Sequence, residues 1–374
     1  MHRRIGVVAA VLVMAATLGV GAASAHHVLV GIQDDAQTLY GNPLTTFPVL
    51  KNLRVQIVRI NLQWGGRYGV ANNRRPVHPQ DPADPAYDWS LYDRADHYAA
   101  QYGIKLLFTI LFTPKWAGRG SQNDPPNNMN DLRNFAYAAA ERYSGHYIAI
   151  NDNDEEPLPE VKMWLAWNEP NNPLWLKQTS GGGFVSPREY AGICNAIFTG
   201  VHATNFAGEK VACGATGPRG NNQPRSSRPS MSPLAFMRLA RQAGLTNLDA
   251  YAHNPYYGKP SETPASKPGG TAVTLGNIDT LISLVNKLWG KKRIWITEYG
   301  YQTPPDPQFG VSYAKQARYL AQAYAIARST PQVAMMVWFM LKDDTNISAG
   351  WQSGLLTASG RRKPAFSVFA HLPH

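Results

Sequence analysis

Short apolar runs of the strand type alternate with longer amphipathic runs of the helix type along nearly the whole chain. Eight strands are predicted, at Val28–Ile32, Val55–Asn61, Lys105–Leu111, Lys162–Trp167, Lys210–Ala215, Leu248–His253, Arg293–Thr297 and Ala334–Met340. Helices are predicted between and after them, at Pro43–Leu53, Leu91–Tyr102, Leu132–Tyr143, Arg188–His202, Leu234–Ala243, Leu275–Gly290 and Tyr313–Tyr324, with a short one after Pro364. This alternation is typical of a parallel sheet whose strands are connected by helices.

Eight strand and helix units in a chain of 374 residues predict the α/β class and a single (β/α)8 barrel, the TIM-barrel architecture. A doubly wound open sheet is the alternative, but a phosphate-binding turn normally follows its first strand. Here the first strand leads into Gln33, Asp34 and Asp35. The long inserts follow strands, at Gly65–Asp88, Asn171–Ser186, Thr216–Ser232 and Gly258–Gly270. In a barrel these enlarged βα loops lie on the C-terminal face, where active sites are built.

The first 25 residues have the pattern of a secretory signal peptide. Arg3 and Arg4 precede an apolar run over residues 5–20, and Ala23-Ser24-Ala25 supplies the small residues that signal peptidase requires. Cleavage after Ala25 would leave residues 26–374 as one catalytic barrel domain outside the cell or at its wall. An uncleaved membrane anchor is the alternative. No later stretch resembles a transmembrane span.

The chain is basic, with a formal net charge of +11, but its arginines are scattered and no helix carries a basic stripe. The charge therefore does not predict nucleic-acid binding. A solvated surface is the first interpretation, and weak association with an anionic cell-wall polymer is the second. The cysteine and histidine spacing matches no zinc site, and no glycine-rich loop follows a strand, so neither metal nor cofactor is expected. Cys194 and Cys213 could form a disulfide or remain two buried thiols.

Two glutamates each end a predicted strand and are therefore expected to face the same barrel mouth. Glu169 closes the fourth strand in the run Trp167-Asn168-Glu169-Pro170, and Glu298 closes the seventh in Ile296-Thr297-Glu298-Tyr299-Gly300. Paired carboxyl groups can split a glycosidic bond when one is protonated and the other ionised. The alternative is that each glutamate only pairs with an arginine or caps a helix.

These two motifs, in this strand order, resemble the retaining glycoside hydrolases of clan A. The resemblance implies that Glu169 is the acid/base and Glu298 the nucleophile. It also implies that Asn168 hydrogen-bonds the sugar 2-hydroxyl. The further matches that it implies for substrate binding are Arg59, His253, Tyr256 and Trp338.

The charges expected around the two glutamates agree with these roles. Arg59 and Tyr256 would stabilise the ionised form of Glu298. Burial among tryptophans and the charge of Glu298 would raise the pKa of Glu169. Taken singly, His253 is more often a buried core histidine and Arg59 an ion-pair partner.

The family within the clan is indicated by the segment after the third strand. Cellulase-like family 5 enzymes usually carry a histidine there, whereas residues 112–117 contain none. The turn Pro114-Lys115-Trp116-Ala117 looks more like family 39 and related secreted bacterial polysaccharide hydrolases, with family 5 as the second choice.

Tryptophans near the strand ends are expected to line a carbohydrate cleft, because sugar rings stack on indole. Trp116 and Trp64 are the candidates for stacking on a sugar ring, and Trp175 and Trp351 also fall near predicted strand ends or in the loops that follow. Packing between loops is the alternative for each of them. Together these features predict a secreted retaining β-glycosidase acting on an oligosaccharide or polysaccharide. The alternatives are a non-catalytic carbohydrate-binding barrel and a transglycosylase.

Overall fold

Eight parallel strands close into a barrel in the computed structural model, which describes residues 26–149, 156–348 and 350–373. The strands are β1 (Leu29–Gln33), β2 (Ile57–Gln63), β3 (Lys105–Leu111), β4 (Met163–Ala166), β5 (Lys210–Thr216), β6 (Ala250–His253), β7 (Arg293–Tyr299) and β8 (Val333–Phe339). Each strand pairs with its neighbours in the chain, and β1 pairs with β8 to complete the ring. The predicted (β/α)8 barrel is therefore confirmed. The predicted signal peptide, residues 1–25, lies outside the described residues.

The helices follow the strands in the expected order. They are α1 (Asp35–Thr38), α2 (Pro43–Asn52), α3 (Ser90–Gln101), α4 (Met129–Arg142), α5 (Ser186–His202), α6 (Pro233–Gln242), α7 (Ile278–Trp289), α8 (Tyr313–Ser329) and α9 (Pro364–Ala370). The short α1 and a hairpin of Thr179–Ser180 with Gly183–Phe184 were not predicted, and the first three residues of the helix predicted at Leu275–Gly290 form a 3₁₀ turn (Leu275–Asn277). Each of the two unpredicted elements is too short to produce a recognisable hydrophobic period.

Successive residues along each strand alternate between two apolar layers. In β2, Val58 and Ile60 belong to the large core between the sheet and the helices, whereas Ile57 belongs to a small core inside the barrel. Arg59 therefore projects into the barrel on the same side as Ile57. Strand alternation thus places a guanidinium group in the middle of the barrel.

A bulge interrupts this alternation in β7. Ile296 is paired with Met336 and Tyr299 with Trp338, so β7 has one residue more than β8 over this stretch. Thr297 and Glu298 together lie opposite Val337, which belongs to the inner layer. A bulge of this kind redirects side chains. The extra residue allows two consecutive polar side chains of β7 to face the interior.

Cys194 of α5 and Cys213 of β5 form a disulfide, which decides between the two possibilities left open by the sequence. The bond ties the helix to the strand that follows it. No helix among the described residues has the length and apolar character needed to cross a membrane.

Candidate active site

Glu298 is held by an arginine and a tyrosine at the C-terminal end of the barrel. Arg59 Nη1 donates to Glu298 Oε1 at 2.7 Å, and Tyr256 Oη donates to Glu298 Oε2 at 3.1 Å. Both carboxylate oxygens therefore accept a hydrogen bond, and one of them forms an ion pair with the guanidinium. The structure brings together these three residues, as the sequence predicts.

Arg59 is fully buried and its donors are divided among four acceptors. Besides Glu298, Nε donates to Thr109 Oγ1 at 2.8 Å, and Nη1 donates to the Thr297 carbonyl at 3.1 Å. Nη2 donates to Asn168 Oδ1 at 3.0 Å. Because the guanidinium is planar and rigid, these contacts fix Glu298 and Asn168 relative to each other.

Glu169 occupies a different environment at the end of β4. The backbone turns sharply there, with positive φ at Trp167 (64°) and at Glu169 (34°). Residues other than glycine rarely adopt this backbone conformation. The Glu169 amide donates to the Ala215 carbonyl at 2.9 Å, which supports this conformation. The strained turn aims the glutamate side chain toward the mouth of the barrel.

Two asparagine side chains hold the Glu169 carboxyl group. Asn172 Nδ2 donates to Oε2 at 2.9 Å, and Asn254 Nδ2 donates to Oε1 at 3.3 Å. Asn254 Oδ1 in turn accepts from Thr297 Oγ1 at 2.8 Å. Sequence reasoning missed both asparagines, although each follows a site residue that it identified.

The pKa of Glu169 is raised to about 7, chiefly by burial and then by the negative charge of Glu298, against the lowering effect of hydrogen bonds from Asn172 and Asn254. The sequence predicts this direction. The charge of Arg59 also lowers the pKa of Glu169, as the smallest of these effects, while the ion pair of Arg59 is with Glu298. One carboxyl group is thus held by a cation while the other retains its proton up to neutral pH, the combination that acid and nucleophile roles require.

Gly217 leaves the space that the Glu169 carboxyl group occupies. A Cβ atom at this position would lie 3.1 Å from Glu169 Cδ and Oε2. The Gly217 amide donates to Asn171 Oδ1 at 2.8 Å, which fixes the loop after β5 against the loop after β4. The site therefore depends on close backbone approach at this point.

His253 and Trp338 are predicted site residues that have no exposed surface. His253 Nδ1 lies 2.9 Å from Thr216 Oγ1 and Nε2 lies 3.0 Å from the Val273 carbonyl, so both ring nitrogens are used within the protein. Burial lowers the pKa of His253 to about 4, which keeps the ring neutral. Trp338 lies on the outer face of β8, opposite to Val337, and its indole N–H donates to the Ser353 carbonyl.

Two other aromatic rings occupy the place expected for Trp338. Phe339 and Trp351 have ring centroids 6.4 and 5.5 Å from that of Tyr256. Trp351 is 39% exposed and is thus available to a ligand. Phe339 follows Trp338 in the chain and therefore faces the opposite side of the strand.

The remaining predicted tryptophans pack mainly against other side chains. Trp64 is fully buried between Trp116 and Phe135. Trp116 is half-buried, donates to the Ala71 carbonyl and lies beneath the Arg75 guanidinium.

Within the described part of the chain, no group of three or more metal-ligating side chains is assembled.

The chain is similar to known glycoside hydrolases. Residues 272–369 match a family model described as the glycosyl hydrolase catalytic core. The barrel is similar to a family 39 glycoside hydrolase from Bacteroides cellulosilyticus WH2, with a TM-score of 0.61 and 18% identity over 91% of this chain. It is also similar to a glucosidase from Croceicoccus marinus (TM-score 0.64, 16% identity, 91% of this chain). A third similar structure is that of fungal β-1,4-galactanases (TM-score 0.58, 14% identity, 92% of this chain and 99% of that chain).

The chain spans 62% and 66% of the first two of these structures. No curated protein matches the sequence. At these identities the structural similarities confirm the fold, and the family-model match confirms the resemblance to glycoside hydrolases indicated by the two glutamate motifs.

Proposed function

We propose that this chain is a secreted retaining β-glycosidase that hydrolyses O-glycosidic bonds in an oligosaccharide or polysaccharide. The observation that carries the proposal is the contrast between the two glutamates. Glu298 is paired with Arg59 and Tyr256, while the pKa of Glu169 is raised to about 7 by burial and by its neighbour. Two carboxyl groups in one mouth are thereby suited to opposite protonation states.

In the first step a carboxylate oxygen of Glu298 bonds to the anomeric carbon. Glu169 gives its proton to the glycosidic oxygen, and the bond between that oxygen and the anomeric carbon breaks. In the second step ionised Glu169 takes a proton from water, the water oxygen bonds to the anomeric carbon, and the bond to Glu298 breaks. Two displacements on one carbon return the original configuration.

Asn168 is positioned to contact the sugar during both steps. Its Oδ1 accepts from Arg59 Nη2 at 3.0 Å and lies 3.4 Å from Asn254 Nδ2. Its NH₂ group is thus the part of the side chain left to donate to a substrate hydroxyl. A contact that strengthens as the anomeric carbon becomes positive stabilises the transition state.

Secretion is part of the same proposal. The apolar, basic-flanked segment over residues 1–25 supports it, and so does the disulfide between Cys194 and Cys213. Disulfides of this kind persist mainly in oxidising compartments.

The test is product release from a panel of β-linked polysaccharides and aryl β-glycosides by residues 26–374. We expect the wild type to release sugar with retained anomeric configuration. Proton NMR of the product within the first turnovers measures this configuration. The size of the products will distinguish endo from exo action. Binding without release would favour the carbohydrate-binding barrel, and transfer to added sugars in preference to water would favour the transglycosylase.

The pH profile of kcat/KM should have an alkaline limb with an apparent pKa of about 7. Glu169 is protonated and able to donate below this pH, and each further pH unit lowers the protonated fraction about tenfold. The limb should therefore fall with rising pH. An aryl glycoside with a good leaving group is cleaved without proton donation. In the pH profile of Glu169→Ala on this substrate, the alkaline limb should therefore be absent. Persistence of the limb in that variant would assign it to another group.

A further inference from the structure

Three side chains near the C-terminal ends of β1 and β2 present hydrogen-bond acceptors close to Arg59, whose register partner on β1 is Gln33. Gln33 is only 4% exposed, and its Oε1 is buried without a hydrogen-bond partner among the described residues. Oδ1 of half-buried Asn61 is also without a hydrogen-bond partner among the described residues. Asn61 lies two residues beyond Arg59 on the inner side of β2. Buried polar oxygens are rarely left unpaired in the absence of a role.

Asp35 lies against Asn61 and two residues after Gln33 in the chain. One of its oxygens, Oδ1, accepts from the Asn61 backbone N–H at 3.3 Å. Burial raises the pKa of Asp35 to about 6. Hydrogen bonds from the backbone and the side chain of Asn61 and the charge of Arg59 lower this pKa, and the charge of Glu298 raises it. Asp35 is therefore within electrostatic reach of the nucleophile and its cation.

The preceding residue, Asp34, provides a contrast within the same turn. Its Oδ1 accepts from the Gln37 amide and caps α1, and its Oδ2 accepts from the Leu341 and Lys342 amides, each at 3.0 Å. Asp34 thus has a structural role in joining β1 to the segment after β8. Asp35 instead accepts from the backbone N–H and from the side chain of Asn61, and its two oxygens retain further acceptor capacity for a ligand.

The position of this group relative to the glutamates indicates which part of a substrate it would meet. The leaving group must lie beside Glu169 at the end of β4, because Glu169 protonates its oxygen. Around the barrel, β1 and β4 lie on opposite sides of β7, which carries Glu298. On the proposed function, the sugar bonded to Glu298 would therefore extend away from β4 toward β1 and β2.

Exposed aromatic rings continue the surface outward. Tyr40 and Tyr68 are 37% and 42% exposed, and their ring centroids are 4.6 Å apart. Gln63 Nε2 donates to Tyr40 Oη at 3.2 Å, which links this pair to β2. Aromatic faces beside acceptor oxygens are the surfaces that pyranose rings bind.

We propose that Gln33, Asp35 and Asn61 form a subsite that accepts hydrogen bonds from glycone hydroxyl groups and selects neutral glycones over uronic acids. Hydroxyl groups are donors that all three side-chain oxygens can accept. A carboxylate on the glycone would instead face the charge of Asp35 and two acceptor oxygens, an unfavourable arrangement. This inference rests on the proposed function and specifies its substrate class.

The test compares Asp35→Ala and Asp35→Asn with wild type on one aryl glycoside that the wild type cleaves. The same comparison is made on its deoxy derivatives, each lacking one hydroxyl, and on the matching uronide. Asp35→Ala should lower kcat/KM for the parent by about 10- to 100-fold, the effect of losing a hydrogen bond to a charged acceptor. It should have almost no effect on the deoxy derivative that lacks the contacted hydroxyl. Asp35→Asn should raise the uronide rate relative to the parent rate.

The matched control is Asp279→Asn, the same charge change at an exposed position of α7, which should leave every rate unchanged. Thermal unfolding of each variant checks the fold. Equal losses on the parent and on every deoxy derivative would mean that Asp35 only supports the structure, and would overturn the subsite. A wild type that cleaves no glycoside would overturn the proposed function itself, so the two failures can be distinguished.

Discussion

Replacing Glu298 with Gln should lower kcat by at least about 10⁴-fold, as expected for loss of a nucleophile. An amide oxygen is too weak a nucleophile to form the bond to the anomeric carbon. The amide can still accept from Arg59 Nη1, and Arg59 keeps its contacts with Thr109, Asn168 and the Thr297 carbonyl. The fold should therefore persist, although Arg59 loses its buried counter-charge and the variant should unfold at a lower temperature.

The measurement is initial rates on the best substrate of the panel, with circular dichroism and thermal unfolding of the same samples. Glu160→Gln is the matched control, because Glu160 is exposed and pairs with Lys162 at the surface. It should retain wild-type activity. Retention of more than about 1% of wild-type kcat by the folded Glu298→Gln variant would remove Glu298 from the nucleophile role.

Replacing Glu169 with Ala should have an effect that depends on the leaving group. For a saccharide or alkyl leaving group, kcat/KM should fall by about 10²- to 10⁴-fold, because proton donation is lost. For a dinitrophenyl leaving group, which departs without a proton, formation of the covalent intermediate should be nearly unaffected. Its hydrolysis should be slow, since no base activates water.

The variant should consequently release one equivalent of dinitrophenol in a burst and then turn over slowly. Mass spectrometry should detect a glycosyl group on the peptide that contains Glu298. An added anionic nucleophile such as azide needs no base and should restore turnover. Glu298→Gln, assayed on the same two substrates, should lose activity on both. Equal losses by Glu169→Ala for good and poor leaving groups would contradict its assignment as the acid.

The fold and the centre of the site were predictable because they depend on local patterns. Each barrel strand and each long helix shows a recognisable pattern, and the C-terminal ends of parallel strands meet at one barrel mouth. Glu298 could therefore be placed at the mouth from the sequence pattern, and the resemblance to clan A implied that Arg59 lies beside it and that Asn168 faces the substrate. Their contacts in the structure confirm that they converge.

The parts that could not be predicted depend on register and on long-range packing. Trp338 was expected at the mouth, but the alternation along β8 places Phe339 there instead. Asn254 and Asp35 have no sequence motif, and their proximity to the glutamates arises only when the barrel closes. Aromatic composition indicated a sugar-binding surface without indicating which rings would be exposed.

The bulge in β7 limits how this barrel can change in evolution. Because of one extra residue, Thr297 faces inward to support Asn254, and its neighbour Glu298 faces inward to meet Arg59. Deletion of a single residue here would turn one of the two toward the helices and disable either the acid or the nucleophile. The βα loops can gain or lose residues and alter specificity, but β7 must keep its length. Homologues that keep this site are therefore expected to vary in the lengths of their βα loops but not in the length of β7.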